Sequence, residues 1–95
     1  MEPKEIKELK NRLKILEKKL GSLGPIMRGS VVVLGAKNKQ PYFSLNKNKK
    51  TKIIYLGKQR ESKAREYSDN YKKLNEIVEE MTEINMILLK ENCEI

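Results

Sequence analysis

Ile6, Leu9, Leu13, Leu16, Leu20 and Leu23 recur at spacings of 3, 4, 3, 4 and 3, the seam of a heptad repeat along one face of a helix. Pro3 suits a first helical turn, and Glu2 and Glu5 suit the positive end of the helix dipole. Gly21 and Gly24-Pro25 then stop the pattern. A helix over residues 4–20 is predicted, about 17 residues and roughly 25 Å long. A helix that short is marginal alone in water, so it needs a partner.

The second half of the chain offers one. Between Ser62 and Asn92 there is neither Gly nor Pro, and Tyr67, Tyr71, Leu74, Val78, Met81, Asn85 and Leu88 step by 4, 3, 4, 3, 4 and 3. A second row, Ile77, Ile84 and Ile87, widens the stripe, as in a helix that packs on more than one neighbour. The predicted helix over 62–92 would span roughly 46 Å, nearly twice the first. Antiparallel pairing of the two would leave residues 84–92 without an intrachain partner, so Ile84, Asn85 and Leu88 are assigned to contact with a second copy of the chain. Asn85 has two readings. It is either a buried seam residue that fixes register and oligomer state, or a boundary residue beside a stripe that runs through Ile84.

Between the helices the period changes. Val31, Val32, Val33 and Leu34 form a β-branched run bounded by Gly29-Ser30 and Gly35. Residues 41–46 and 51–56 read as two further strands, joined by the four-residue loop Lys47-Asn48-Lys49-Lys50, in which Asn48 can take a left-handed conformation. Phe43 and Leu45 share the predicted core face, opposite Tyr42, Ser44 and Asn46. The expected fold is α+β: an N-terminal helix and a long C-terminal helix paired as a coiled-coil hairpin, with a small three-stranded antiparallel sheet over residues 30–57 between them. At 95 residues the chain has room for a single domain, 1–95.

Charge sharpens this picture. The formal net charge is +8, and residues 21–60 contain nine Lys/Arg and no carboxylate. A solubility surface normally mixes both signs, so an unrelieved cationic block points to an anionic partner. The candidate contacts are Lys37, Lys39, Lys47, Lys49, Lys50, Lys52, Lys58 and Arg60 for phosphates, with Tyr42, Ser44, Asn46 and Thr51 placed to orient on backbone or bases. The partner class is DNA or RNA.

Other classes recede. Histidine is absent and Cys93 is the single cysteine, which removes an internal disulfide and any Cys/His zinc site. An intermolecular Cys93 disulfide stays open. Without histidine, a nucleophile-base set or a phosphate-binding glycine loop, neither catalysis nor a cofactor is expected. With one Phe, four Tyr and no Trp, an aromatic-lined ligand cavity is not expected either. No leader-type apolar stretch and no run of eighteen apolar residues occurs, so a cytoplasmic protein off the membrane is expected.

Several stretches resemble a small uncharacterised prokaryotic family of helix, sheet, helix proteins: Gly21-Ser22-Leu23, Gln40-Pro41-Tyr42-Phe43-Ser44-Leu45, Lys50-Thr51, Tyr55-Leu56-Gly57-Lys58, Asn70-Tyr71-Lys72-Lys73-Leu74 and Glu83-Ile84-Asn85. The likeness covers most of residues 21–89 and implies the architecture. That family carries a cysteine-bearing loop before its Gly-Pro-Tyr-Tyr strand, whereas Gly35 to Gln40 is shorter and lacks cysteine, so no metal role transfers. It brings no established activity. Residues 42–65 also resemble the three-stranded arm-type DNA-binding module of tyrosine recombinases, in which an aromatic strand, a basic hairpin and a strand ending in Leu-Gly-Lys precede a helix. That resemblance implies a sheet able to lie in the major groove. The expected function is binding of nucleic acid through the basic hairpin. The alternative is a coiled-coil adaptor or regulator that docks on a larger protein.

Overall fold

A computed structural model describes residues 1–91 of the chain. Its order is α1 (Pro3–Gly21), β1 (Ser30–Leu34), β2 (Gln40–Lys47), β3 (Lys50–Tyr55) and α2 (Gly57–Lys90), an α+β arrangement of two helices flanking a three-stranded antiparallel sheet. Asn92, the expected last residue of the long helix, and Cys93 lie outside the described residues. The chain divides into two compact units, one formed by Met1–Leu23 with the chain from Lys73 onward, the other by Gly24–Lys72. Helix α2 is continuous and contributes to both.

The first unit is a helical hairpin. Pro3 opens α1 without needing its missing N–H, Glu5 lies in the first turn and Lys18 and Lys19 in the last. At the other end, Ser22 Oγ and N–H both donate to the Lys19 carbonyl. Leu13 and Leu16 are buried against Ile77, Ile84 and Leu88, with Ile6, Leu9, Leu23 and Met81 packed around them. Arg12 pairs with Glu80 and the Met1 amino group with Glu91, so the helices run antiparallel. Ile77, Met81, Ile84 and Leu88, at spacings of 4, 3 and 4, form the row of α2 that faces α1.

This registration corrects the expected overhang. The strand-bearing segment intervenes between the helices, so α1 pairs with the C-terminal half of α2, and residues 84–88 have a partner inside the chain. Ile84 is 5% exposed and Leu88 fully buried. The premise that sent both to a second copy therefore falls, because both belong to the hairpin core. The stripe runs through Ile84, and Asn85 sits beside it, half-buried.

The second unit is the sheet with the first half of α2. Strand order is β1-β2-β3, a meander with β2 central. Phe43 is buried with Leu56 and Ala64, and Met27, Val31 and Leu45 pack against them, so the predicted core face of β2 holds. A single helix about 10 Å across cannot cover three strands. The whole of β3 is accordingly exposed.

Polar side chains tie helix to sheet within this unit. Ser68 Oγ donates to the Gly29 carbonyl at 2.8 Å, Asn70 Nδ2 to the Pro25 carbonyl at 2.8 Å, and the Met27 N–H to the Tyr67 carbonyl. Gly29 lies so close to β2 that a Cβ there would stand 2.6 Å from both the Phe43 ring and the Ser44 carbonyl. Helix α2 starts at Gly57, earlier than the expected 62, because Gly57 takes φ +68 and turns the chain from strand directly into helix.

Candidate nucleic-acid interface

The β2–β3 register is Tyr42↔Tyr55, Phe43↔Ile54, Ser44↔Ile53, Leu45↔Lys52, Asn46↔Thr51 and Lys47↔Lys50. Lys47 and Lys50 thus belong to the ladder, and the expected four-residue loop is a two-residue turn, Asn48-Lys49. Asn48 (φ 53) and Lys49 (φ 62) are both left-handed, the form whose twist matches the flanking strands. Asparagine tolerates this conformation. Lysine does so at a cost of roughly 1–2 kcal/mol.

Residues opposite one another in an antiparallel pair project from the same face, and successive residues alternate. One face therefore carries Ser30, Val32 and Leu34 of β1, Gln40, Tyr42, Ser44 and Asn46 of β2, and Thr51, Ile53 and Tyr55 of β3. The helix-packed face carries Phe43, Val31 and Ile54, and further along it Lys47, Lys50 and Lys52. The sequence-selected residues are thus divided. Tyr42, Ser44, Asn46 and Thr51 share the outer face, while Lys47, Lys50 and Lys52 project from the other side near the hairpin tip.

The remaining cations sit at strand ends. Lys49 is in the turn, Lys37 and Lys39 lie in the β1–β2 connection, and Lys58 and Arg60 in the first turns of α2. Arg60 is held by its Nε–H donating to the Leu56 carbonyl at 2.9 Å. Arg28, which sequence reasoning passed over, donates to the Asn46 carbonyl at 2.9 Å and adds a cation at the hairpin. Among the described residues, none of Lys37, Lys39, Lys47, Lys49, Lys50, Lys52, Lys58 and Arg60 forms an ion pair.

On the outer face the Tyr42 and Tyr55 rings meet edge to face, centroids 5.5 Å apart. The Tyr55 hydroxyl donates to Gln40 Oε1 at 3.2 Å and Thr51 Oγ1 to Asn46 Oδ1 at 2.6 Å. These contacts hold the polar side chains in place from β2 to β3.

Arg12 in the hairpin makes a two-pronged contact with Glu80, its second nitrogen at 2.9 Å. That hydrogen bond holds the Glu80 carboxyl below its ordinary value and the Arg12 guanidinium above its own. An open pocket of about 130 Å³ is lined by Ser30, Val31, Arg65, Ser68, Asp69 and Lys72, smaller than a typical small-molecule site of roughly 300 Å³ or more. No helix among the described residues is long and apolar enough to cross a membrane. Comparison with protein-family models, curated proteins and solved structures finds no match for the chain.

Proposed function

We propose that the chain is a small basic nucleic-acid-binding protein that contacts phosphates through the lysines of its β2–β3 hairpin and associates as a dimer through its helical hairpin. One observation carries the first part. The sheet unit, residues 24–72, holds twelve lysines and arginines against three carboxylates, a net of +9, with its hairpin lysines exposed and unpaired among the described residues. Like charges held this densely repel one another, and a polyanion relieves that repulsion while releasing its own counterions. The likeness of residues 42–65 to an arm-type DNA-binding module points the same way.

The test is charge reversal. Replacing Lys47, Lys49, Lys50 and Lys52 by Glu should weaken oligonucleotide binding at moderate salt by several orders of magnitude and flatten the slope of log affinity against log salt. An unchanged slope would show that the hairpin is not the contact surface.

The dimer rests on a stripe of α2 beside the one that α1 covers. Tyr71, Asn75, Val78, Thr82, Asn85 and Leu89 are spaced 4, 3, 4, 3 and 4 and include no charge, in a stretch where Lys72, Lys73, Glu76, Glu79, Glu80 and Glu83 all lie off that line. Val78 and Leu89 are exposed. An uncharged stripe with exposed apolar side chains can be covered by the same stripe of a second copy across a two-fold axis, with no charge to desolvate. Val78→Lys with Leu89→Lys should turn a dimer into a folded monomer by light scattering. A parent chain that is monomeric at high concentration sinks the dimer and leaves the stripe to a larger protein partner.

A further inference from the structure

The outer face of the sheet differs from everything around it. Its ten residues, from Ser30, Val32 and Leu34 across to Thr51, Ile53 and Tyr55, include no charged side chain, although they lie in a unit of net charge +9. The charges stand instead at the ends of the strands. Lys37 and Lys39 precede Gln40, and Lys58 and Arg60 follow Tyr55, at one end; Lys49 in the turn stands at the other, beside Lys47 and Lys50 on the opposite face. Eight residues of β2 separate the two ends, about 25 Å at the rise of an extended strand. Between them the face presents apolar and aromatic groups to solvent. Leu34 is 43% exposed, Ile53 49% and Tyr55 50%.

The chemistry that fits is a flat apolar surface of an otherwise polyanionic ligand. Duplex DNA turns phosphates and polar base edges outward, and its base faces are hidden in the stack. Against such a ligand, exposed Leu34 and Ile53 would meet hydrogen-bonding groups that they cannot satisfy. A single strand offers unstacked bases, whose faces suit aliphatic and aromatic side chains, on a backbone that basic groups can hold. The polar members Gln40, Ser44, Asn46 and Thr51 provide donors and acceptors at the margins of such bases.

We infer that the outer face of the sheet binds single-stranded nucleic acid, two or three bases lying on Tyr55, Ile53, Val32 and Leu34 while Lys37, Lys39 and Lys58 at one end and Lys49 in the turn at the other hold the flanking phosphates. This rests on the nucleic-acid reading above and names the ligand's strandedness and the side of the sheet that it occupies. Stacking on Tyr55 makes the base-contacting part of the affinity insensitive to salt, whereas the lysine part falls with salt.

The probes are a fluorescently labelled fifteen-nucleotide oligo(dT), oligo(rU) of the same length, and a fifteen-base-pair duplex, titrated with the full chain and read by anisotropy. Because the chain has four tyrosines and no tryptophan, quenching of its own emission gives a second readout. The single strands should bind at least tenfold tighter than the duplex. Tyr55→Ala should lose tenfold or more of that affinity with the salt slope unchanged. Tyr55→Phe, which keeps the ring and drops only the hydroxyl bond to Gln40, should bind like the parent and guards against a merely folding defect. Ile53→Glu should also abolish single-strand binding. Tighter binding of the duplex, or single-strand binding that ignores both Tyr55→Ala and Ile53→Glu, overturns this inference and leaves the phosphate-binding hairpin standing. Failure of all three probes to bind overturns both.

Discussion

The helical hairpin contains nine lysines and arginines against ten carboxylates, whereas the sheet unit contains twelve against three. The net charges are −1 and +9. The hairpin can pair its charges, as Arg12 with Glu80 and the Met1 amino group with Glu91 show, and its core runs from Leu13 and Leu16 through Ile77 and Ile84 to Leu88. The sheet unit has a core of three buried apolar residues, Phe43, Leu56 and Ala64, and leaves one strand wholly exposed. One unit is built to hold itself together. The other combines a thin core with self-repulsion, a combination that a bound polyanion would stabilise.

The largest expected effects separate the two cores. Leu88→Ala removes a fully buried side chain from the hairpin and Phe43→Ala removes the ring at the centre of the sheet unit, and each should cost about 3–5 kcal/mol in chemical denaturation. Amide hydrogen exchange should then distinguish them. Phe43→Ala should expose β1, β2 and β3 first while residues 77–88 stay protected, and Leu88→Ala should do the reverse. A single, identical loss of protection in both variants would show that the units do not behave as distinct cooperative parts.

A smaller effect concerns the turn that carries the proposed phosphate contacts. Lys49 holds φ 62, so Lys49→Gly should raise stability by about 0.5–1 kcal/mol, the conformational relief exceeding the added entropy of the unfolded chain. Lys49→Gln removes the same charge without that relief and should leave the urea midpoint nearly unchanged. Equal gains in both would assign the benefit to charge, not backbone.

The same contrast explains what could be read from sequence. The seam of α1 was legible because Ile6, Leu9, Leu13 and Leu16 stand among lysines and glutamates, leaving one apolar face. On α2 two neighbouring rows are both largely uncharged, and the rows through Val78 and through Ile77 share Leu74, Met81 and Leu88. Spacing alone could not choose between them. The pairing of α1 with the C-terminal half of α2 is decided by the sheet, which occupies the N-terminal half through Ala64, Ser68 and Asn70. Small and polar residues give no heptad signal, so Ser68 and Asn70 were missed as anchors, although their uncharged side chains on a charge-rich helix were a hint.

The candidate interface was half legible. Alternation placed Tyr42, Ser44 and Asn46 together on the wet face. The same alternation puts Lys47, two residues on from Leu45, and Lys52, opposite Leu45, on the helix-packed face whether the turn has two residues or four, but choosing these lysines by charge alone did not ask which face they take.

The smallest effect tests whether the hairpin's charge pairing contributes measurably. In the folded chain the hydrogen bond from Arg12 holds the Glu80 carboxyl below its ordinary value of 4.5, with the charge of Arg12 and then of Lys19 adding to it. A carboxylate whose folded pKa is depressed contributes stability that is fully present above its unfolded pKa and is lost as pH falls through the folded one. The contribution should therefore be intact at pH 7 and shrink only below about pH 4.5. Both partners are more than a third exposed, so solvent screens the pair and the change will be modest. The measurement is the difference in melting temperature between the parent and Glu80→Gln across pH 3 to 7. The parent's advantage should be constant from pH 7 down to about 5 and narrow towards pH 3, with high salt reducing it throughout. An advantage that instead grows on acidification would show that the Glu80 carboxylate is a burden on the fold, and that the hairpin owes its stability to the Leu13, Leu16 and Leu88 packing alone.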